Sequence, residues 1–241
     1  IAAVKTWGDT VHSLISGNYK GVWQPGFKKW EAPDVPAQDP GLRLIDHVVG
    51  NVEDGKMNEW SAFYEKVFGM MNFVHFDDAD ISTKFSALRS KVVRSKNWGV
   101  KLPLNEPAPG LKKSQIEEFM EFYGGPGVQH IALLTDDIAK TVSALRANGV
   151  DFLRVPDTYY EAIPQRVGKI DENMDTMKRL GILIDRDEDG YLLQLFTKPI
   201  EDRPTFFFEI IQRKGSPGFG QGNFQALFES IEAEQALRGN L

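Results

Sequence analysis

Cysteine is absent from all 241 residues. Its absence excludes disulfides, thiolate nucleophiles, CxxC redox pairs and cysteine zinc sites in one step. Histidine is scarce, with His12, His47, His75 and His130 the full set, so any metal must draw on these and on carboxylates. No apolar run approaches the roughly 20 residues of a membrane span. No basic stretch is dense enough to track nucleic acid or an anionic membrane surface; the net charge is −6, with acids and bases interleaved. Expected partners therefore include neither nucleic acid nor membrane. No signal-peptide pattern opens the chain, which makes a cytoplasmic address the expectation. The first residue is Ile1, and IAAVKTW reads like a strand entered midway, as if an N-terminal part preceded it.

What is present is an aromatic-rich chain with sixteen phenylalanines, long enough to bury a substantial core. The stretch FFFEIIQR (206–213) sets Glu209 among apolar residues. A buried carboxylate without a partner costs several kcal/mol or takes up a proton. Glu209 therefore needs a cation, a hydrogen-bond network or a metal.

An internal repeat supplies candidates. Residues 1–41 read as the end of an upstream unit followed by a Pro- and Gly-rich linker at 24–41. One unit then spans about 42–107: strand LRLIDHVVGNV (42–52), helix MNEWSAFYEKVFGM (57–70), and strands at 71–76, 85–93 and 99–107. A second spans about 127–213: strand GVQHIALLTDDI (127–138), a helix from about 136 to 147, and strands at 151–156, 191–197 and 205–212. Each reads βαβββ. The expected class is α+β, with paired βαβββ modules forming a half-open barrel. Residues 157–181 form an insertion, and 214–241 a Gly hinge and closing helix, with Asn223 as a plausible N-cap.

His47 and His130 open their units at matching places, and Glu209 lies on the last strand of the second. Paired units would bring the three together. Two neutral imidazoles and one carboxylate leave the other metal positions open, which suits non-haem Fe(II) working on oxygen. Taken singly, each histidine could be a satisfied core residue, and Glu209 could pair with Arg213 or Lys198. Coincidence at repeat-related positions favours the shared ion. Glu106 is a weaker fourth candidate, turned away if Asn105 faces the cavity. His12 and His75 are read as structural or surface residues. DRDEDG (185–190) fails as a calcium loop because Phe196 stands where a Glu is needed. GFGQG (218–222) lacks the dinucleotide-loop spacing.

IDHVVGNV, PLNEP, GVQHIAL, TYY, RVG, LGILIDRDEDGYLLQLFTKP, RPTFFFEIIQR and GFGQGNF occur in that order. Together they resemble the 4-hydroxyphenylpyruvate dioxygenase family of the vicinal oxygen chelate superfamily, across roughly residues 5–235. The resemblance implies a glyoxalase-like fold and an Fe(II) cofactor held by His47, His130 and Glu209. It implies 4-hydroxyphenylpyruvate and O2 as ligands, homogentisate as product, and a homodimer or homotetramer. Ser90, Asn105, Gln115, Gln129 and Gln194 match the family's polar pocket residues. Phe196, Phe207, Phe219 and Phe224, with Asn223, match its substrate pocket. The nearest rival is a 4-hydroxymandelate synthase with the same triad, from which the Pro103-x-Asn105 pair points away. A metal-free ligand-sequestering protein would lack the triad, and a zinc hydrolase would need a general base beside the metal.

Overall fold

The computed structural model describes residues 1–16, 26–29, 31, 39–76, 83 and 86–239. The stretch at 24–41 read as a linker lies largely outside these residues. An N-terminal hairpin, β1 (Ala2–Lys5) and β2 (Val11–Leu14), pairs with itself alone. Trp7 at its turn is buried with Val52, Met57, Tyr64, Val93 and Leu104, which docks the hairpin onto the first unit.

That unit runs β3 (Leu42–Asn51), α1 (Met57–Phe68), β4 (Met71–Phe76), β5 (Ala87–Arg94) and β6 (Lys101–Ala108). Helix α1 ends where Gly69 takes the left-handed conformation that other residues resist. The connecting helix α2 (Gln115–Tyr123) is absent from the sequence reading, although its signal is local. Ser114 Oγ accepts from the Glu117 amide at 3.2 Å, and Glu117 Oε2 accepts from the Ser114 amide at 2.7 Å. This reciprocal box satisfies two donors that a helix start leaves open.

The second unit runs β7 (Gly127–Thr135), α3 (Ile138–Ala147), β8 (Leu183–Arg186), β9 (Tyr191–Phe196) and β10 (Phe207–Lys214). Here the sequence reading needs correction. The run 151–156 is not the unit's second strand: only Phe152 bridges to Thr197, and Pro156 leads into a helix. Strand β8 takes that place instead. The insertion folds as α4 (Asp157–Arg166) and α5 (Met174–Leu180).

One eight-stranded sheet results, in the order β4-β5-β6-β3-β7-β10-β9-β8. The order reads as two copies of one pattern meeting at β3 and β7. These opening strands run antiparallel, and each has the last strand of its own unit as a parallel neighbour on the other side. Side chains alternate between faces along a strand. Leu88, Ser90, Val92, Pro103 and Asn105 thus face a cavity. Val93, Leu102 and Leu104 pack with α1 on the opposite face.

Helix α6 (Phe224–Arg238) follows a short 3-10 turn and lies across the cavity, contributing Phe224, Leu227 and Phe228 to its wall. Polar ties hold it on the first unit and on the connecting helix α2. Glu232 accepts from Thr83 Oγ1 and Ser86 Oγ, both at 2.6 Å, and Arg238 pairs with Glu118 at 2.8 Å. Asn223 precedes this helix but makes no side-chain cap; its amide is engaged elsewhere.

Candidate metal centre

The register explains how three distant residues meet. Ala132 of β7 has His47 of β3 as its partner on one side and Glu209 of β10 on the other. His130 stands two residues away on the same strand. Ala132, fully buried and small, leaves the space above it to these three side chains. One ligand atom from each of His47, His130 and Glu209 lies within 4.8 Å of the others. Glu209 Oε2 is 3.2 Å from His47 Nε2 and 3.3 Å from His130 Nε2.

The far nitrogen of each ring is spoken for. His47 Nδ1 bonds Asp46 Oδ1 at 2.8 Å, and His130 Nδ1 bonds Gln129 Oε1 at 3.0 Å. In both cases the partner is the preceding residue, as the repeat requires. An acceptor at Nδ1 places the proton there and turns the Nε2 lone pair inward, the orientation a metal ligand needs. Glu209 is steadied too: Gln194 Nε2 donates to its Oε1 at 3.3 Å, leaving Oε2 to face the imidazoles. The donor set, its convergence and its oriented tautomers fit one divalent cation with open coordination positions.

Electrostatics agree. Burial alone would raise the Glu209 carboxyl, but the two imidazoles pull it down to about 2. Burial opposes charge on His47, yet the carboxylates of Glu209 and Asp46 prevail and hold its pKa above the usual value. On His130, with a neutral amide behind it, burial prevails and the pKa falls. The alternative partners for Glu209 are engaged otherwise: Arg213 binds Asp46, and Lys198 binds Glu234. Glu106 is no ligand here, since it accepts from the Met57 amide and Arg89 on the helix face. His12 bonds Tyr64 Oη at 2.7 Å, away from the cavity.

The cavity beside the triad is lined by Ser90, Asn105, Gln115, Gln129 and Gln194, and by Phe196, Phe219 and Phe224. Ser90 and Asn105 are direct cross-strand partners. Phe76, Leu88, Val92, Pro103 and Phe228 also line it. Of these, Phe76, Leu88 and Val92 alternate with residues of the opposite face, a signal present in the sequence. Two expected wall residues stand elsewhere. Phe207 stacks on His130, with ring centres 4.8 Å apart, and opens on a smaller neighbouring pocket. Asn223 sits one step back, donating to Gln194 Oε1 at 3.0 Å and accepting from Tyr159 Oη at 2.6 Å. The sequence reading missed Asp46 and weighed Arg213 only as a partner for Glu209, whereas it binds Asp46. Among the described residues lining the cavity, Glu209 is the one carboxylate.

Comparison with known proteins places this geometry. A family model described as the Glyoxalase/Bleomycin resistance protein/Dioxygenase superfamily matches residues 44–195. The chain belongs to that superfamily. Within it, the whole chain aligns to a 4-hydroxyphenylpyruvate dioxygenase of Neurospora crassa at 54% identity, covering 60% of that protein. It aligns to one of Danio rerio at 48% identity, covering 63%. The chain therefore spans about 60% of the length of the curated superfamily relatives it matches. Among solved structures, a mutant 4-hydroxymandelate synthase from Streptomyces coelicolor superposes with a TM-score of 0.73 at 37% identity, over 80% of this chain and 55% of that one. The superfamily's half-barrel of paired βαβββ units is the architecture found here, so the expected fold class is borne out. No helix among the described residues is long and apolar enough to cross a membrane.

Proposed function

We propose that this chain carries the catalytic unit of a 4-hydroxyphenylpyruvate dioxygenase, converting 4-hydroxyphenylpyruvate and O2 to homogentisate and CO2 at an Fe(II) site. The observation carrying this reading is the convergence of His47, His130 and Glu209 beside an aromatic cavity whose other polar groups are neutral. Relatives bearing that name at about half identity over the whole chain support it.

The substrate is a 2-oxo acid joined to a phenol. Iron held by His47, His130 and Glu209 would supply Lewis-acid and one-electron chemistry toward oxygen. The chain's own residues do the rest. Asn105 and Ser90, side by side on β6 and β5, offer an amide and a hydroxyl at one end of the cavity. Gln115, Gln129 and Gln194 offer further amides without charge, so a phenol bound there is oriented without being driven to ionise. Phe196, Phe219, Phe224 and Phe228 exclude water and give the aromatic ring flat surfaces. Among the described residues lining the cavity, none besides the triad is an acid or a base, and none is required: the reacting carboxylate leaves as CO2, one oxygen atom enters the new side-chain carboxylate, and the other becomes the ring hydroxyl.

Pro103 and Asn105 both line the cavity, the pair whose resemblance is to ring-hydroxylating enzymes. The test is turnover of 4-hydroxyphenylpyruvate by Fe(II)-loaded protein under oxygen, with the product identified by mass and retention. Homogentisate with one CO2 per O2 is expected. 4-Hydroxymandelate would overturn the ring-hydroxylation reading, and the absence of any product from iron-loaded protein would overturn the assignment as an enzyme.

A further inference from the structure

One charged side chain touches both the metal-facing machinery and the loop that roofs it. Arg213 lies on β10, four residues beyond Glu209. Its Nε donates to Asp46 Oδ2 at 2.9 Å and its Nη2 to Asp46 Oδ1 at 2.8 Å. That is the two-pronged pairing which a planar guanidinium makes with a carboxylate. Asp46 Oδ1 is also the acceptor for His47 Nδ1. From the other edge of the same guanidinium, Nη1 donates to the carbonyls of Gly218 at 2.6 Å and Ser216 at 3.1 Å. Phe219, carried by that loop, lies 5.6 Å from the guanidinium carbon and sets its ring edge-on to His47, 5.0 Å between centres.

The far end of the loop returns to the same centre by another route. Asn223 binds Gln194, and Gln194 binds Glu209. The loop at 216–223 is thus tied at one end to the residue orienting His47 and at the other to the residue orienting Glu209. His130, steadied by the neutral Gln129, has no such tie to it. A surface loop normally has neither restraint. Here the carbonyls of Ser216 and Gly218 accept from an Arg213 that Asp46 holds in place.

We infer that Arg213 is a positioning residue that couples metal capture by His47 and Glu209 to the ordering of the loop at 216–223. The inference rests on the metal reading above and deepens it. A metal that fixes His47 fixes Asp46 through the Nδ1 bond, Asp46 fixes the guanidinium, and the guanidinium fixes the loop and Phe219. Linkage makes this reciprocal: what the metal gains for the loop, the loop returns to the metal.

The experiment compares metal-free protein with protein given Fe(II) anaerobically, in three forms: unaltered, Arg213→Gln and Arg213→Lys. Circular dichroism checks that each is folded. Fe(II) should slow backbone hydrogen exchange at 216–223 by about tenfold in the unaltered protein, within the range of typical coupling. Arg213→Gln should bind Fe(II) about tenfold more weakly, as loss of an outer partner of a ligand usually does, and its loop exchange should no longer respond to the metal. Arg213→Lys keeps the charge but cannot fork between carboxylate and carbonyls. It should recover part of the affinity and none of the loop response. Full recovery of both by lysine would overturn the inference in favour of simple charge neutralisation. Fe(II) uptake by the unaltered protein with an unresponsive loop would overturn the coupling alone. Failure to take up Fe(II) at all would overturn the metal reading and this inference with it.

Discussion

Glu209→Gln is expected to bind Fe(II) at least ~100-fold more weakly than the unaltered protein, beyond the 10–100-fold range seen when only an outer partner of a ligand is lost. The substitution keeps shape and volume but removes the one anionic donor among the described cavity residues. Two imidazoles alone leave the cation's charge uncompensated in a buried, apolar setting, where compensation matters most. The variant should also lose its thermal response to metal. An ion present at a hundredfold excess over its dissociation constant stabilises a folded protein by about 2.7 kcal/mol, and that increment should vanish from melting curves recorded with and without Fe(II). With the metal released from the same variant, activity should fall to background. Unchanged iron affinity would contradict the placement of Glu209 in the metal shell.

The second large effect belongs to a residue with no functional group. Gly220 has φ of +74°, and a Cβ built there would overlap Gln194 Oε1. That oxygen is held between Gly220 and the Asn223 amide, which leaves Nε2 of Gln194 to face Glu209. Gly220→Ala must therefore displace Gln194 and release the carboxylate it steadies. Iron affinity is expected to drop by about tenfold or more, with turnover lost to a greater extent because the cavity wall moves as well. Gly239→Ala is the matched control. Gly239 has φ of +76° and nothing within 4 Å of the added carbon. It pays the same left-handed backbone penalty, about 1–2 kcal/mol, without the collision. If both variants lose activity alike, backbone strain rather than Gln194 explains the effect.

The sequence disclosed the parts of this molecule whose signals are local. Strand β4 spans Met71–Phe76 as its apolar pattern indicates, and α1 stops at Gly69. The pairing of units was legible because the two opening strands carry histidines at matching positions. Helix α2 carries its capping box in plain view at Ser114 and Glu117. The run 151–156 misled because its composition is strand-like, whereas Pro156 and the helix that follows allow one bridge. Strand β8 is four residues long and runs into the acidic turn at 187–190, too short to carry a clear period of its own.

Contacts between distant residues were the least legible. Nothing in the order of residues announces that Arg213 will fork onto Asp46, 167 positions away, or that Asn223 will serve Gln194 instead of capping a helix. Asp46 could have been found, however. It precedes His47 as Gln129 precedes His130, and in each unit that preceding residue holds the imidazole by Nδ1. Phe207 is a different case. Resemblance matched it to a substrate wall, and the pairing of β10 with β7 sets its ring against His130.

The most direct measurement is X-ray absorption on protein titrated anaerobically with Fe(II). The account predicts saturation at one ion per chain with two imidazoles in the coordination shell, falling to one in His130→Ala. Saturation without imidazole ligation, or a shell unaltered by that substitution, would contradict it.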